Sequence, residues 1–297
     1  PALLGGVIIV LSAQIAKELK GGAYAQILAA VSFVGSILFV RAFGLFQPVC
    51  FDIFFWTLCI YLLIRYINTE NNKYVLYFGI AVGLGFLNKY NLIFLLIPVL
   101  IVIPLSKYRK LFLSKHLYLA ILIGLMLFLP NIIWQITYHF PVIHHMAELR
   151  SIQLVNMNPG LFIFEQLLMI LPATLVGVAG FIYLLFANRM NAYKLMAFIS
   201  IIVLILFILM KGKSYYSAGI YPMLIAAGAV FFEVIFKRNI TRIAFVMLIV
   251  FVEWQFLPMG KPIYAPDKMV SYFDAMQENS GNDNVRRFED NTYHKLP

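Results

Sequence analysis

The fold class this sequence predicts is an all-α, polytopic transmembrane helix bundle of about ten membrane segments, with one short hairpin pair. Three observations predict it. Hydrophobic residues make up 62% of the 297 residues and charged residues 12%, about half of the roughly 25% that a water-facing surface needs. Apolar runs near the ~20 residues that a bilayer crossing requires follow one another from Pro1 to about Leu257. Phe (27) and Tyr (17) are abundant, as expected where many helices end at membrane interfaces. A soluble domain is therefore excluded.

The first three segments fall at about 1–19, 24–40 and 49–66. The next stretch, 74–105, admits two readings. As one helix it would be about 48 Å long, against a hydrocarbon core of about 30 Å. Its middle, Asn88-Lys89-Tyr90-Asn91, is polar, so two short segments at 74–88 and 91–105 fit better. The remaining segments fall at about 117–134, 161–186, 194–210, 218–236 and 240–257.

Charge tests the choice. With the hairpin, one set of loops carries thirteen Lys and Arg (Lys17, Lys20, Arg65, Lys73, Lys107, Arg109, Lys110, Lys115, Arg189, Lys194, Lys237, Arg238 and Arg242). The other set carries five, namely Arg41, Lys89, Arg150, Lys211 and Lys213. With a single long helix every later loop changes sides and the division becomes seven against ten. Lys and Arg accumulate in cytoplasmic loops, so the hairpin is preferred and the thirteen-residue side is cytoplasmic. Each half of the hairpin is about 22 Å long, which places Lys89 below the outer surface, as in a re-entrant loop. This distribution also accounts for the net charge of +10 without nucleic acid.

Residues 1–257 form the transmembrane domain in this reading, and 258–297 an outer, periplasmic C-terminal segment, with a loop at 278–284 from its Gly, Asn and Asp content. Cys50 and Cys59 lie nine residues apart in one helix and cannot pair. The chain opens on Pro1 inside an apolar run and closes on His294-Lys295-Leu296-Pro297, and both ends read as cuts in a longer protein.

The outer face holds the residues that topology leaves over. A charge at mid-bilayer costs about 2.5–3.5 kcal/mol on the insertion scale. Snorkelling anchors would explain Lys211 and Lys213, but Lys89, in its short hairpin, has less room to escape. Asp52 and Glu165 sit near helix N-termini, where the dipole favours an anion, and either could instead orient the outer lysines or a ligand hydroxyl. The outer loop 135–160 is aromatic and amphipathic and is expected to lie along the membrane surface. Its Arg150 suits bidentate binding of a phosphate or carboxylate. His144 and His145, with His139 and Glu148, are the candidate metal ligands, although their spacing matches no metal motif. Outer cations on a hydrophobic bundle suggest a phosphate head group on a lipid tail, met by Lys89, Arg150, Lys211 and Lys213, with Asn88, Tyr215 and Tyr216 as polar and aromatic support. Anionic lipids would satisfy the same cations.

Five runs carry a family resemblance: Gly83-Leu-Gly-Phe-Leu-Asn-Lys89, Leu129-Pro-Asn-Ile-Ile-Trp-Gln135, Met157-Asn-Pro159, Lys211-Gly-Lys-Ser-Tyr-Tyr216 and Tyr221-Pro-Met-Leu-Ile-Ala-Ala-Gly-Ala229. Together, over nearly the whole chain, they resemble the bacterial family 39 glycosyltransferases. These belong to the dolichyl-phosphate-mannose–protein mannosyltransferase-like group of GT-C fold, which also contains the aminoarabinose transferases. The resemblance implies a bacterial inner-membrane enzyme. It moves a sugar, with inversion, from a polyprenyl-phosphate donor to an envelope glycan, lipid or protein acceptor on the periplasmic face. It implies cations that stabilise the departing phosphate, with Lys89, Lys211 and Lys213 at the family's outer basic positions. A carboxylate in the first outer loop activates the acceptor or helps bind a divalent metal. That loop and the helix before it are expected ahead of Pro1, since Pro1-Ala-Leu-Leu-Gly-Gly resembles the start of the second helix. The chain alone is therefore expected to lack the catalytic acid and to be inactive. The competing classes are a transporter or flippase for an anionic lipid or solute, which would favour mid-membrane ionisable groups and internal repeats, and a non-catalytic membrane scaffold.

Overall fold

The computed structural model describes residues 1–152 and 158–280, with side chains placed at 1–151 and 158–275; Met157 lies outside them. Among the described residues there are fourteen α-helices and no strand. They are α1 (Ala2–Glu18), α2 (Ala23–Val34), α3 (Ile37–Gly44), α4 (Pro48–Thr69), α5 (Lys73–Asn88), α6 (Ile93–Val102) and α7 (Lys115–Thr137). There follow α8 (Pro141–Ile152), α9 (Pro159–Met169), α10 (Thr174–Phe186), α11 (Lys194–Leu209), α12 (Tyr221–Ile235), α13 (Asn239–Gly260) and α14 (Pro266–Ser280). A 3-10 stretch, Ser214–Ile220, leads directly into α12.

Four helices are long and apolar enough to cross a membrane: α4, α7, α13 and the joined Ser214–Ile235. Two bent pairs, α2 with α3 and α9 with α10, pass the same test when each is taken together. By length and composition there are thus four to six candidate spans among the described residues, and the chain is a multi-pass membrane protein. The ten expected segments are all helical, but α1, α5, α6 and α11 are 17, 16, 10 and 16 residues long. At about 1.5 Å per residue these fall short of a 30 Å core.

The hairpin stands as expected. The α5 helix stops at Asn88 because Lys89 is extended (φ −159°, ψ 133°), and α6 runs back. Tyr108, below α6, then meets Tyr66 at the far end of α4, with ring centroids 6.3 Å apart.

Two segments expected to be continuous are broken. The 24–40 segment bends by 63° between α2 and α3, and the 161–186 segment by 108° between α9 and α10. A bend frees backbone groups that lipid cannot satisfy. Here the two breaks satisfy each other, because Ile37 N–H donates to Leu171 C=O at 3.1 Å. Ser36 closes the first break locally: its hydroxyl accepts from Phe39 N–H at 3.3 Å, as an N-cap does. The expected loop at 278–284 also needs correction. Residues 278–280 continue α14, a helix that starts at Pro266 with an acid, Asp267, in its first turn; 281–284 lie outside the described residues.

Small residues set the closest helix contacts. On α5 and α7, a Cβ on Gly79 would fall 2.3 Å from Ala120 O, and one on Gly83 2.8 Å from Gly124 O. On α10 and α12, a Cβ on Gly180 would fall 1.9 Å from Leu224 O. Such seams let helix backbones touch where lipid supplies no hydrophobic drive for association.

The polar contacts sort into two ends of the bundle. At one end Glu18 binds Arg65 at 2.5 Å, and the same guanidinium donates to the Tyr74 hydroxyl. There the Asn68 amide donates to Glu18 Oε2 at 2.8 Å, and the Tyr193 hydroxyl donates to Asn68 Oδ1 at 2.6 Å. Glu233, from α12, accepts from Gly22 N–H at 2.6 Å and so caps α2. The other end holds Asp52, Lys89, Tyr216 and Glu165.

Candidate functional site

At the Lys89 end three stretches converge: the first turns of α4, the α5–α6 return and the 211–220 segment. Asp52 follows Pro48 by four residues and is 6% exposed. Its Oδ2 lies 3.6 Å from Lys89 Nζ. Asn91 donates to the same oxygen at 2.8 Å and to Tyr216 C=O at 2.9 Å. The Lys89 ammonium also sits 4.3 Å from the Tyr216 ring centroid and 5.4 Å from that of Tyr215. A lysine desolvated this far needs such compensation, since an unpaired buried charge costs several kcal/mol, and ring faces attract cations. The Asn88 amide donates to Pro48 C=O at 3.0 Å and fastens the return to the start of α4.

The 211–220 segment is positioned by Gly219, where a Cβ would lie 2.1 Å from Trp56 Cβ. No side chain fits there, so Tyr215 and Tyr216 are pressed onto the α4 face that carries Asp52. Lys213 lies within electrostatic reach of Lys89. Two like charges held so near raise the potential for an anion between them. Lys211 has positive φ (54°) and is exposed at the turn out of α11.

A second cluster clamps the same segment from the α9 side. The Ser214 hydroxyl donates to the Glu165 carboxylate. Gln166 donates to Ser214 C=O at 3.2 Å and accepts from Ser217 at 2.6 Å, and its Oε1 also accepts from the Tyr221 hydroxyl. Glu165 is the seventh residue of α9, which has no acid in its first turn; its partner is Ser214 rather than the helix dipole.

The expected site residues therefore divide. Lys89, Asp52, Tyr215, Tyr216 and Asn88 are brought together, with Lys213 beside them and Glu165 one cluster away. Arg150 lies exposed on α8 and makes no hydrogen bond or ion pair with these residues. His144 and His145 are exposed neighbours on α8, and among the described residues no three His, Cys, Asp or Glu side chains gather as metal ligands. Among the described residues His144 and His145 therefore have no third ligand beside them for a divalent metal. The Tyr90 hydroxyl donates to Asn131 Oδ1 at 2.5 Å and accepts from the Gln135 amide at 2.6 Å, which ties the return to α7.

Sequence reasoning missed Asn91 and Gln166, which carry the most bonds in their clusters. Asn91 closes the polar stretch Asn88–Asn91 and Gln166 stands in a mainly apolar run. A buried amide must find partners, and that was the available signal.

Residues 1–134 match the family model described as dolichyl-phosphate-mannose-protein mannosyltransferase. The match is narrower than the resemblance read from the motifs: it takes in Asp52, Lys89 and Asn91 but not Lys211–Tyr216. The comparisons with curated proteins and with solved structures found no match. Over α1 to the later part of α7, just under half its length, this chain is similar to the dolichyl-phosphate-mannose-protein mannosyltransferase family.

Proposed function

We propose that the chain is the membrane part of a glycosyltransferase that takes a sugar from a polyprenyl-phosphate donor. Transfer takes place at the Lys89 end, on the periplasmic face of a bacterial inner membrane. The acceptor is an envelope glycan, lipid or protein. The observation that carries this reading is the Lys89 ammonium, held at a bundle end by Asp52 and two tyrosine rings with Lys213 in reach; of these, Lys89 and Asp52 lie in the region similar to the dolichyl-phosphate-mannose-protein mannosyltransferase family.

Charge develops on the lipid phosphate as the sugar leaves. Lysine has three donors; one engages Asp52, and the others are available to phosphate oxygens. Lys213 adds a second positive charge, and the lipid tail remains between the helices. Asp52 is committed to Lys89 and Asn91, so it positions the cation rather than activating the acceptor. Arg150 would join only if α8 moved toward the bundle with the acceptor. No step is routed through a metal.

The test is transfer by the full-length protein in proteoliposomes, with a polyprenyl-phosphate sugar as donor. Lys89→Gln and Lys213→Gln are each expected to lower turnover by about 10²-fold, the scale of losing one donor to a developing oxyanion, while the protein still assembles. Full turnover in both variants would remove the phosphate site. Movement of labelled lipid between leaflets without sugar transfer would instead mark the chain as a flippase.

A further inference from the structure

The end opposite Lys89 carries a site that the transferase reading does not use. A cavity of about 490 Å³ opens between α6 and α11, inside the range of small-molecule sites. Its membrane-side wall is apolar, from Ile101, Leu105, Phe198 and Ile202. Its other wall is polar, from Ser106, Lys107, Asn191 and Lys194. No acidic residue lines it. Glu18, whose backbone C=O accepts from the Tyr193 hydroxyl, has its carboxylate paired with Arg65. Lys107 stands 5.0 Å over the Tyr108 ring, and neither lining lysine forms an ion pair among the described residues. Leu105 is 84% exposed and Phe198 44%.

We propose that this cavity holds one anionic phospholipid of the inner leaflet, its phosphate between Lys107 and Lys194 and its acyl chains along Ile101, Phe198 and Ile202. Two observations select that occupant. The first is amphipathic shape: an apolar wall continuing into a dicationic end matches a phospholipid and not a free anion. The second is charge. Arg109, Lys110, Lys115 and Arg189 are clustered in the same two loops, and a leaflet that carries anionic lipid attracts such segments. The cavity opens where the short α6 stops, at Val102, beside the start of α11. This inference does not rest on the transferase reading and survives its failure.

The experiment is native mass spectrometry of the full-length protein titrated with phosphatidylglycerol, with phosphatidylcholine as the neutral comparison. Wild type is expected to retain one phosphatidylglycerol preferentially. Lys107→Gln and Lys194→Gln are each expected to lower that retention about fivefold. Ile202→Trp, which fills the cavity without changing charge, is expected to lower it as well. The pair Lys237→Gln with Arg238→Gln, at the same end but outside the cavity, is expected to leave it unchanged. If Lys194→Gln fails to fold, Lys107→Gln decides, since that side chain is exposed, with its ammonium over the Tyr108 ring. Equal retention across the cavity variants, an equal loss in the outside pair, or displacement by inorganic phosphate would overturn the proposal.

Discussion

Lys89 Nζ lies 3.6 Å from Asp52 Oδ2 and 4.3 Å from the centroid of the Tyr216 ring. The carboxylate is almost fully buried and the ammonium about three-quarters so. Breaking such a pair from one side leaves a charge without a partner, at roughly 3–5 kcal/mol. Lys89→Gln alone and Asp52→Asn alone are each expected to lower the melting temperature in detergent. The double variant is expected to recover most of the loss, because both charges leave together. Strict additivity would mean that the two groups do not interact in the folded protein.

Tyr216 tests the ring contribution apart from the carboxylate. Tyr216→Phe retains a π face and is expected to keep both stability and turnover close to wild type. Tyr216→Leu removes the face and should cost about 0.5–2 kcal/mol, read as a melting shift and as weaker donor binding. Equal behaviour of the two variants would assign the contact to packing alone.

Backbone contact at glycine gives the largest expected stability effects. Gly180→Ala would press a methyl group against Leu224 O, which as backbone cannot rotate away. Gly219→Ala would meet Trp56 and displace the segment that carries Tyr215 and Tyr216. Both are expected to cost at least the ~1–3 kcal/mol typical of overpacking. Gly6→Ala, where a Cβ meets nothing within 4 Å, is the control and is expected to be neutral or slightly stabilising through helix propensity. Thermal melts of the three proteins check this.

Orientation is tested by labelling. Arg150→Cys and Lys110→Cys lie at opposite ends of the bundle, and the native Cys50 and Cys59 are buried. A membrane-impermeant maleimide is expected to label the first from the periplasmic side and the second only after the membrane is opened. The reverse pattern would place the Lys89 end in the cytoplasm and remove the periplasmic part of the functional reading.

The helical character and the hairpin were legible in the sequence, because both follow from one-dimensional quantities: apolar length and the side on which each Lys and Arg falls. Lys89 stood out for the same reason, as a cation in a stretch too short to release it. The breaks at Gly35-Ser36 and at 170–173 were not legible. The two are joined where Ile37 and Leu171 meet across 134 positions of chain, and no local pattern encodes that meeting. The pairing of Asp52 with Lys89 falls between these cases. Each residue was identifiable alone, yet the sequence offered the helix dipole as an equally good partner for the acid. Arg150 is a different case: its chemistry suits a phosphate, and the structure places it exposed on α8, apart from Lys89.

Glu18, Arg65, Asn68 and Tyr193 rivet α1, α4 and the link before α11 at a single end, and Tyr74 adds α5 to the joint. The Lys89 end has its own ties, from α4 to the α5–α6 return and the 211–220 segment, so these helices are braced at both tips, and the two joints together hold the spacing of the side chains between them.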